Sequence, residues 1–211
     1  MGNEAHSGPN YRRVVELIRS GAIGEVNEVH CWCDKAWGNY ERPKHSPPVP
    51  DNLNWALWLG PAPYRPYHPI YHPAAWRSWW DFGNGRLGDM GCHMIDLPFW
   101  ALDLTYPLTV EAEGPPLHTE STPLWLISRW EFPARGDLPP VKLTWYDGNK
   151  RPPLQKEHNM PDYAEGTLFV GSKGMLIAEY GRHELYPKGK YADFQRPPRS
   201  IPNSPGHADE W

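Results

Sequence analysis

Residues 85–104 read GRLGDMGCHMIDLPFWALDL, and their apolar part carries two carboxylates and an imidazole, Asp89, His93 and Asp96. His93 stands four residues after Asp89 and Asp96 three further on, so helical spacing stacks all three near one face. An acid beside an imidazole favours its charged form or fixes its neutral tautomer, which suits a general acid or base. Asp89 also follows Gly88, where a carboxylate meets the free N–H groups of a starting helix, so an N-terminal cap is the alternative reading. His93 equally fits a satisfied core residue, and Asp96 a structural side chain bonding the backbone or an arginine. A metal held by the three side chains requires a further ligand that the spacing does not supply.

Upstream, YHPAAWRSWWDFG sets Arg77 among tryptophans. Arg77 suits an anionic or polyhydroxyl ligand, and Trp76, Trp79 or Trp80 could stack on a sugar ring. Tryptophans in the core and an Arg77–Asp81 ion pair form the competing reading. Lys35, His72 and His6 complete the candidate substrate-binding set with Arg77 and Trp76. The glycines at 83, 85, 88 and 91 admit close approach by a ligand or by another backbone.

The elements that must position these groups are legible from periodicity. NYRRVVELIRS predicts a helix with Tyr11, Val14, Val15, Leu17 and Ile18 on its buried face, closed by the glycines of GAIG. EVNEVHCWC alternates as a strand, with Val29, Cys31 and Cys33 on one face and Glu28, His30 and Trp32 on the other. Prolines break up 34–80, leaving room for a short helix in NLNWALWLG that buries Trp55, Trp58 and Leu59. A second long helix is predicted over 89–102. LTVEAEGPPLH, PLWLISRWEF, PVKLTWYDG, GTLFVGSKG and GMLIAEYG then read as consecutive antiparallel strands, with GSKG as a hairpin turn. Ser204, Pro205, Asp209 and Glu210 suit the first turn of a helix. The expected class is α+β: an open, mainly antiparallel mixed sheet with helices on one face and long proline-rich loops.

Composition excludes several functions. The net charge of −4, with lysines and arginines scattered, argues against nucleic acid. No run approaches the roughly 20 apolar residues of a membrane span, and MGNEAHSGPNYRR has no signal-peptide core, so a cytoplasmic protein is expected. Cys31 and Cys33 lie on one strand face, a poor bridging geometry, and read with Cys92 as reduced thiols. The 26 prolines and 12 tryptophans fit a packed aromatic core carrying stiff loops. No glycine-rich phosphate loop opens a helix within a βαβ unit, so no cofactor-binding residue is assigned.

NWALWLGPAPYRPY followed by YHPAAWRSWWDFGNGRLGDMGCHMIDLPFWALDL resembles the bacterial-type C-terminal domain of the Gfo/Idh/MocA oxidoreductases, named after glucose–fructose oxidoreductase and inositol dehydrogenase. The resemblance runs from about Tyr11 to Trp211, and its core is the G-x-x-x-D-x-G-x-H of Gly85 to His93. It implies an N-terminal Rossmann domain for NAD or NADP and a C-terminal sheet domain whose open face makes homo-oligomer contacts. Catalysis in such enzymes uses a lysine from a Glu-Lys-Pro motif with a later Asp and His, which match Asp89 and His93; Asp96 stays structural. Residues 1–20 then stand for the last Rossmann strand and its helix, and 21–211 for a substrate domain lacking its closing elements. The implied function is the substrate side of an NAD(P)-dependent oxidoreductase acting on a small-molecule sugar or polyol, inactive without its nucleotide domain. Two alternatives stand beside it: a silent carbohydrate-binding or assembly module, and part of an NAD-dependent glycosidase.

Overall fold

The computed structural model describes residues 2–210. The chain opens with a 3-10 turn at Glu4–Ser7 and not with the strand expected there; Met1 lies outside the described residues. Helix α1 (Pro9–Arg19) starts with proline in its first turn, where a missing N–H costs nothing. It buries Tyr11, Val14, Val15, Leu17 and Ile18 as predicted, and Gly21 and Gly24, both at positive φ, turn the chain out of it. Asn10, Arg12 and Glu16 are buried too, Asn10 against Glu179 and His183 and the other two because 200–210 crosses α1. Glu16 Oε1 accepts the Ser200 and Ile201 N–H groups at 2.6 and 2.7 Å, and Arg12 donates to the Pro202 carbonyl at 2.8 Å.

Strand β1 (Val26–Cys33) leads into the loop region that holds α2 (Trp55–Leu59). Asn54 caps α2 by accepting the Leu57 N–H at 3.0 Å, and Trp55 and Leu59 are buried while Trp58 is half-buried. Around α2 the rings of Tyr71, Trp79 and Phe82 enclose the Arg65 guanidinium at cation-to-ring distances of 5.0–5.7 Å, and Arg65 pairs with Asp81. Of the lead-in tryptophans Trp55 and Trp79 are core, Trp58 and Trp76 are half-buried and Trp80 is exposed.

Helix α3 (Cys92–Leu102) carries the long apolar face. Strands β2 (Thr109–Glu113), β3 (Ile127–Phe132), β4 (Val141–Asp147), β5 (Glu165–Gly171), β6 (Gly174–Ala178) and β7 (His183–Tyr186) follow, with α4 (Pro153–Glu157) between β4 and β5 and α5 (His207–Glu210) after β7. The sheet order is β2-β3-β4-β1-β5-β6-β7, with only β1–β4 parallel. The fold is α+β with an open mixed sheet.

One strand expectation is corrected, and one strand was not foreseen. β4 and β5 are not neighbours, since β1 enters between them, and β7 had no periodic signal in so short a run. β1 takes the centre because both its faces are apolar enough to bury: Val29, Cys31 and Cys33 under α1 and α3, and Trp32 against Tyr146, Tyr163, Leu168 and Ile177 on the reverse. GSKG closes the β5–β6 hairpin as read. Among the described residues no helix is long and apolar enough to cross a membrane.

Pro98 shapes how α3 sits on the sheet. Proline has no N–H to give the carbonyl four residues earlier, which is that of Met94. That buried carbonyl instead accepts the Thr167 hydroxyl at 3.1 Å and the Cys31 thiol at 3.6 Å, both rising from the sheet. Met94, Leu97, Ala101 and Leu102 complete the packing, so the apolar length of α3 fixes the position of its beginning.

Candidate functional site

The helical path into α3 begins at Gly85, and 87–91 form a π turn before Cys92 continues as α-helix. Such single-turn insertions recur at functional sites. Asp89 consequently lies inside a helical stretch and is not the N-terminal cap that its place after Gly88 suggested.

The Asp89 carboxylate pairs with Arg77 Nε at 3.2 Å, so Arg77 is bound to Asp89 and not to Asp81. The direct Asp89–His93 contact expected from four-residue spacing is not formed. A guanidinium is a permanent charge with several donors and takes the carboxylate ahead of an imidazole. Arg77 also stacks 4.5 Å over the Trp76 ring and donates to the Ala74 carbonyl at 3.1 Å. Trp76 thus supports Arg77 from beneath.

Two adjoining cavities flank the π turn. The first, about 480 Å³, is lined by Lys35, Trp37, Tyr40, Arg77, Asp89 and Met90 among others. The second, about 570 Å³, is lined by Ser7, Lys35, Met90, His93, Glu165 and Tyr180 among others. Lys35 and Met90 border both, the ammonium resting 3.1 Å from the Met90 Sδ, so the two form one cleft divided at Lys35. The His93 ring meets Tyr180 edge-on at 6.4 Å, and its nitrogens have no hydrogen-bond partner among the described residues. Its backbone is held by the Tyr11 hydroxyl, which donates to the His93 carbonyl at 3.2 Å.

The remaining candidates lie elsewhere. His6 bonds Asp96 at 2.8 Å and stacks on Trp100 at 4.0 Å, facing a third cavity of about 710 Å³. Asp96 therefore holds an imidazole and neither the backbone nor an arginine as first read. His72 packs edge-on against Trp58 at 5.8 Å in the aromatic cluster and lines neither half of the cleft. Asp89, His93 and Asp96 do not converge, and among the described residues no group of three metal-ligating side chains does.

Sequence reasoning missed Glu165, Tyr180 and Arg86. Arg86 donates to the Trp37 and Pro123 carbonyls and to Asp147 Oδ1 at 3.1 Å, tying the start of the π turn to the loop bearing Lys35 and to the end of β4. Burial pushes the Asp147 carboxyl up and Arg86 pulls it back down. Burial also raises the Cys33 thiol to about 11 and the Cys31 thiol to about 12, which keeps both protonated and unreactive.

The glycine-rich stretch is filled by the chain itself. A Cβ on Gly83 would meet the Arg77 carbonyl oxygen at 2.6 Å, and one on Gly85, at φ +65°, would meet Thr122 at 2.9 Å. Of the two approaches that the sequence allowed, these glycines serve the protein's own backbone and side chains. The GSKG hairpin donates to the Glu25 and Ile23 carbonyls. Neither segment fits a dinucleotide's pyrophosphate, which needs an open cradle of N–H groups.

A family model described as an oxidoreductase family, C-terminal alpha/beta domain, matches residues 17–134. Similar solved structures include an oxidoreductase from Thermotoga maritima (17% identity, 98% of this chain, 54% of that one, TM-score 0.49). A second is an NAD-binding protein from Listeria innocua (13% identity, 87% of this chain, 40% of that one, TM-score 0.50). A third is the WlbA dehydrogenase from Bordetella pertussis in complex with NADH and UDP-GlcNAcA (15% identity, 86% of this chain, 44% of that one, TM-score 0.48). At such identities the likeness speaks for fold alone. The chain spans about half the length of the first of these structures and less of the others. Among curated proteins no match was found.

Proposed function

The chain belongs to the Gfo/Idh/MocA oxidoreductase family, whose C-terminal α/β domain it carries, and from that premise we propose that it forms the substrate side of an NAD(P)-dependent dehydrogenase acting on a hydroxyl of a sugar or polyol. The observation that carries this reading is His93. Its imidazole stands in a cleft wall with no partner for either nitrogen among the described residues, while its backbone is pinned by Tyr11 and its helix by the sheet. A fixed imidazole with a free nitrogen can take the proton of a hydroxyl placed against it and return it in the reverse direction.

Lys35 supplies a cation at the centre of the cleft, with only a thioether as acceptor, and is suited to hold a substrate oxygen. Asp89 acts through Arg77: the pair closes the far half of the cleft and leaves Arg77 N–H groups to bind a hydroxyl. Because the glycine-rich segments do not fit a dinucleotide, the hydride acceptor belongs to a nucleotide-binding domain apart from the described residues, and the chain's own share is to bind the substrate and move its proton.

Calorimetry on the 211-residue chain tests this. NADH and NADPH are expected to give no heat, while myo-inositol or D-glucose binds and His93→Ala weakens that binding. Heat with either dinucleotide overturns the half-site reading, and indifference to the loss of His93 overturns the assignment of the site.

A further inference from the structure

The sheet places a second group of chemistry-bearing residues against His93, and no motif in the chain announces it. β5 and β6 pair with Thr167 opposite Ala178, and just beyond that pair Glu165 and Tyr180 line the same cavity. Both keep the face of Thr167 and Ala178, the face that carries α3. β1 pairs Cys33 with Glu165, so the side chains run out in one row toward the beginning of α3.

Tyr180 is held firmly. Its ring stacks on Tyr11 at 6.2 Å and meets the His93 ring edge-on at 6.4 Å, with the planes at 83°. Its hydroxyl has no hydrogen-bond partner among the described residues, although the residue lines the cavity shared by His93, Lys35 and Glu165. Among the described residues the Glu165 side chain forms no ion pair, and its one hydrogen-bond contact is the Cys33 thiol at 3.8 Å. A rigid ring carrying an unpaired phenol, opposite a carboxylate free to accept, is a pair of complementary hydrogen-bonding groups facing one small volume.

We infer that Tyr180 is a substrate-binding residue that donates its phenolic hydrogen to a hydroxyl next to the one presented to His93, with Glu165 accepting from that same hydroxyl. A hydroxyl is both donor and acceptor, so it satisfies Tyr180 and Glu165 together, whereas a carboxylate or phosphate would be repelled by Glu165. The substrate therefore presents a vicinal diol and carries no carboxylate or phosphate at the position between Tyr180 and Glu165, which narrows the sugar or polyol reading of the same cleft and rests on it. Burial first, then the charge of Glu165, pushes the Tyr180 phenol above its ordinary range, which keeps it a donor.

The test is Tyr180→Phe in the full chain, which keeps the ring against Tyr11 and His93 and removes only the hydroxyl. Calorimetry with myo-inositol, D-glucose and D-glucuronate is expected to show binding of the first two weakened about 5- to 10-fold, at an unchanged thermal midpoint. Glu165→Gln is expected to raise the affinity for D-glucuronate relative to that for the neutral probes. Unaltered affinity in Tyr180→Phe overturns the inference while leaving His93 in place, as does a loss of affinity that merely tracks a fall in midpoint. Failure of the wild-type chain to bind either neutral probe overturns the reading of the cleft and this inference with it.

Discussion

Three rows of side chains cross the helix-covered face of the sheet, and their contrast locates the site. The deepest, Trp130, Leu143, Val29, Phe169, Leu176 and Leu185, is wholly apolar. The next, Ser128, Trp145, Cys31, Thr167, Ala178 and His183, mixes in small polar groups. The last, Asp147, Cys33 and Glu165, with Tyr180 beyond the end of β6, is polar or ionisable throughout. Each row meets a different part of the helical cover. The first lies under the apolar body of α3, the second under the carbonyl that Pro98 leaves free, and the third under the π turn and His93. Polarity on a buried face thus rises toward the cleft, and its two ends differ. Asp147 is paired with Arg86 and serves the scaffold, whereas among the described residues Glu165 has only a thiol against it and the Tyr180 hydroxyl has no partner.

The contrast breaks most severely at Arg86. Replacing it by methionine leaves the Asp147 carboxylate buried without its counter-charge and frees two carbonyls, at a cost of roughly 3–5 kcal/mol. A fall of that size in the denaturant midpoint supports the assignment; near-wild-type stability shows that Asp147 is not held by Arg86. Asp147→Asn in the same background is expected to recover part of the loss.

A smaller effect sharpens the middle row. Thr167→Val removes the hydroxyl donor from the Met94 carbonyl and is expected to cost about 1–3 kcal/mol. With Pro98→Ala, residue 98 regains an N–H for that carbonyl, and the cost of Thr167→Val shrinks. Equal costs in both backgrounds, measured by urea denaturation, remove the link between the proline and the sheet.

The smallest effect lies at the outer end of that row. The His183 Nδ1 bonds Asn10 Oδ1 at 2.7 Å and Nε2 faces Arg196 at 2.7 Å; burial, then Arg196, pushes the imidazole down to about 4. An unfolded histidine titrates near 6.5, so between the two values only the unfolded chain takes up the proton. The contribution is present in full above about pH 6.5 and is lost as pH falls toward 4. Between pH 7 and 5 it amounts to about 1 kcal/mol, discounted for partial solvation. His183→Gln is expected to flatten the corresponding slope in thermal midpoint, and an unchanged slope places the titration elsewhere.

Much of this arrangement was legible beforehand. The 3.6-residue pattern of α1 and α3, the alternation of β1 and the hairpin at GSKG are local properties, and local spacing reveals them. Asp89 and His93 could be singled out as candidates because their motif is contiguous, and the structure places both along the cleft. The pairing Arg77–Asp89, the removal of His72 to the aromatic cluster and the use of Asp96 by His6 were not legible, because each depends on which distant side chain arrives first. Glu165 and Tyr180 sit in short strand-end segments whose composition is ordinary, and only the register of β1, β5 and β6 sets them beside His93.

The sequence by itself determined α1, the α3 region and most of the strands, which faces are apolar and where the reactive types cluster, because propensity and periodicity act over a few residues. Only the tertiary structure decided that β1 lies between β4 and β5, that Arg86 and Pro98 fix the beginning and body of the α3 region, and that the cleft wall opposite His93 is Tyr180 and Glu165. The reason is that buried charges and orphaned carbonyls must find partners wherever the closed fold brings them, and that choice is made between residues 60 to 100 positions apart, as in Arg86–Asp147 and Cys31–Met94.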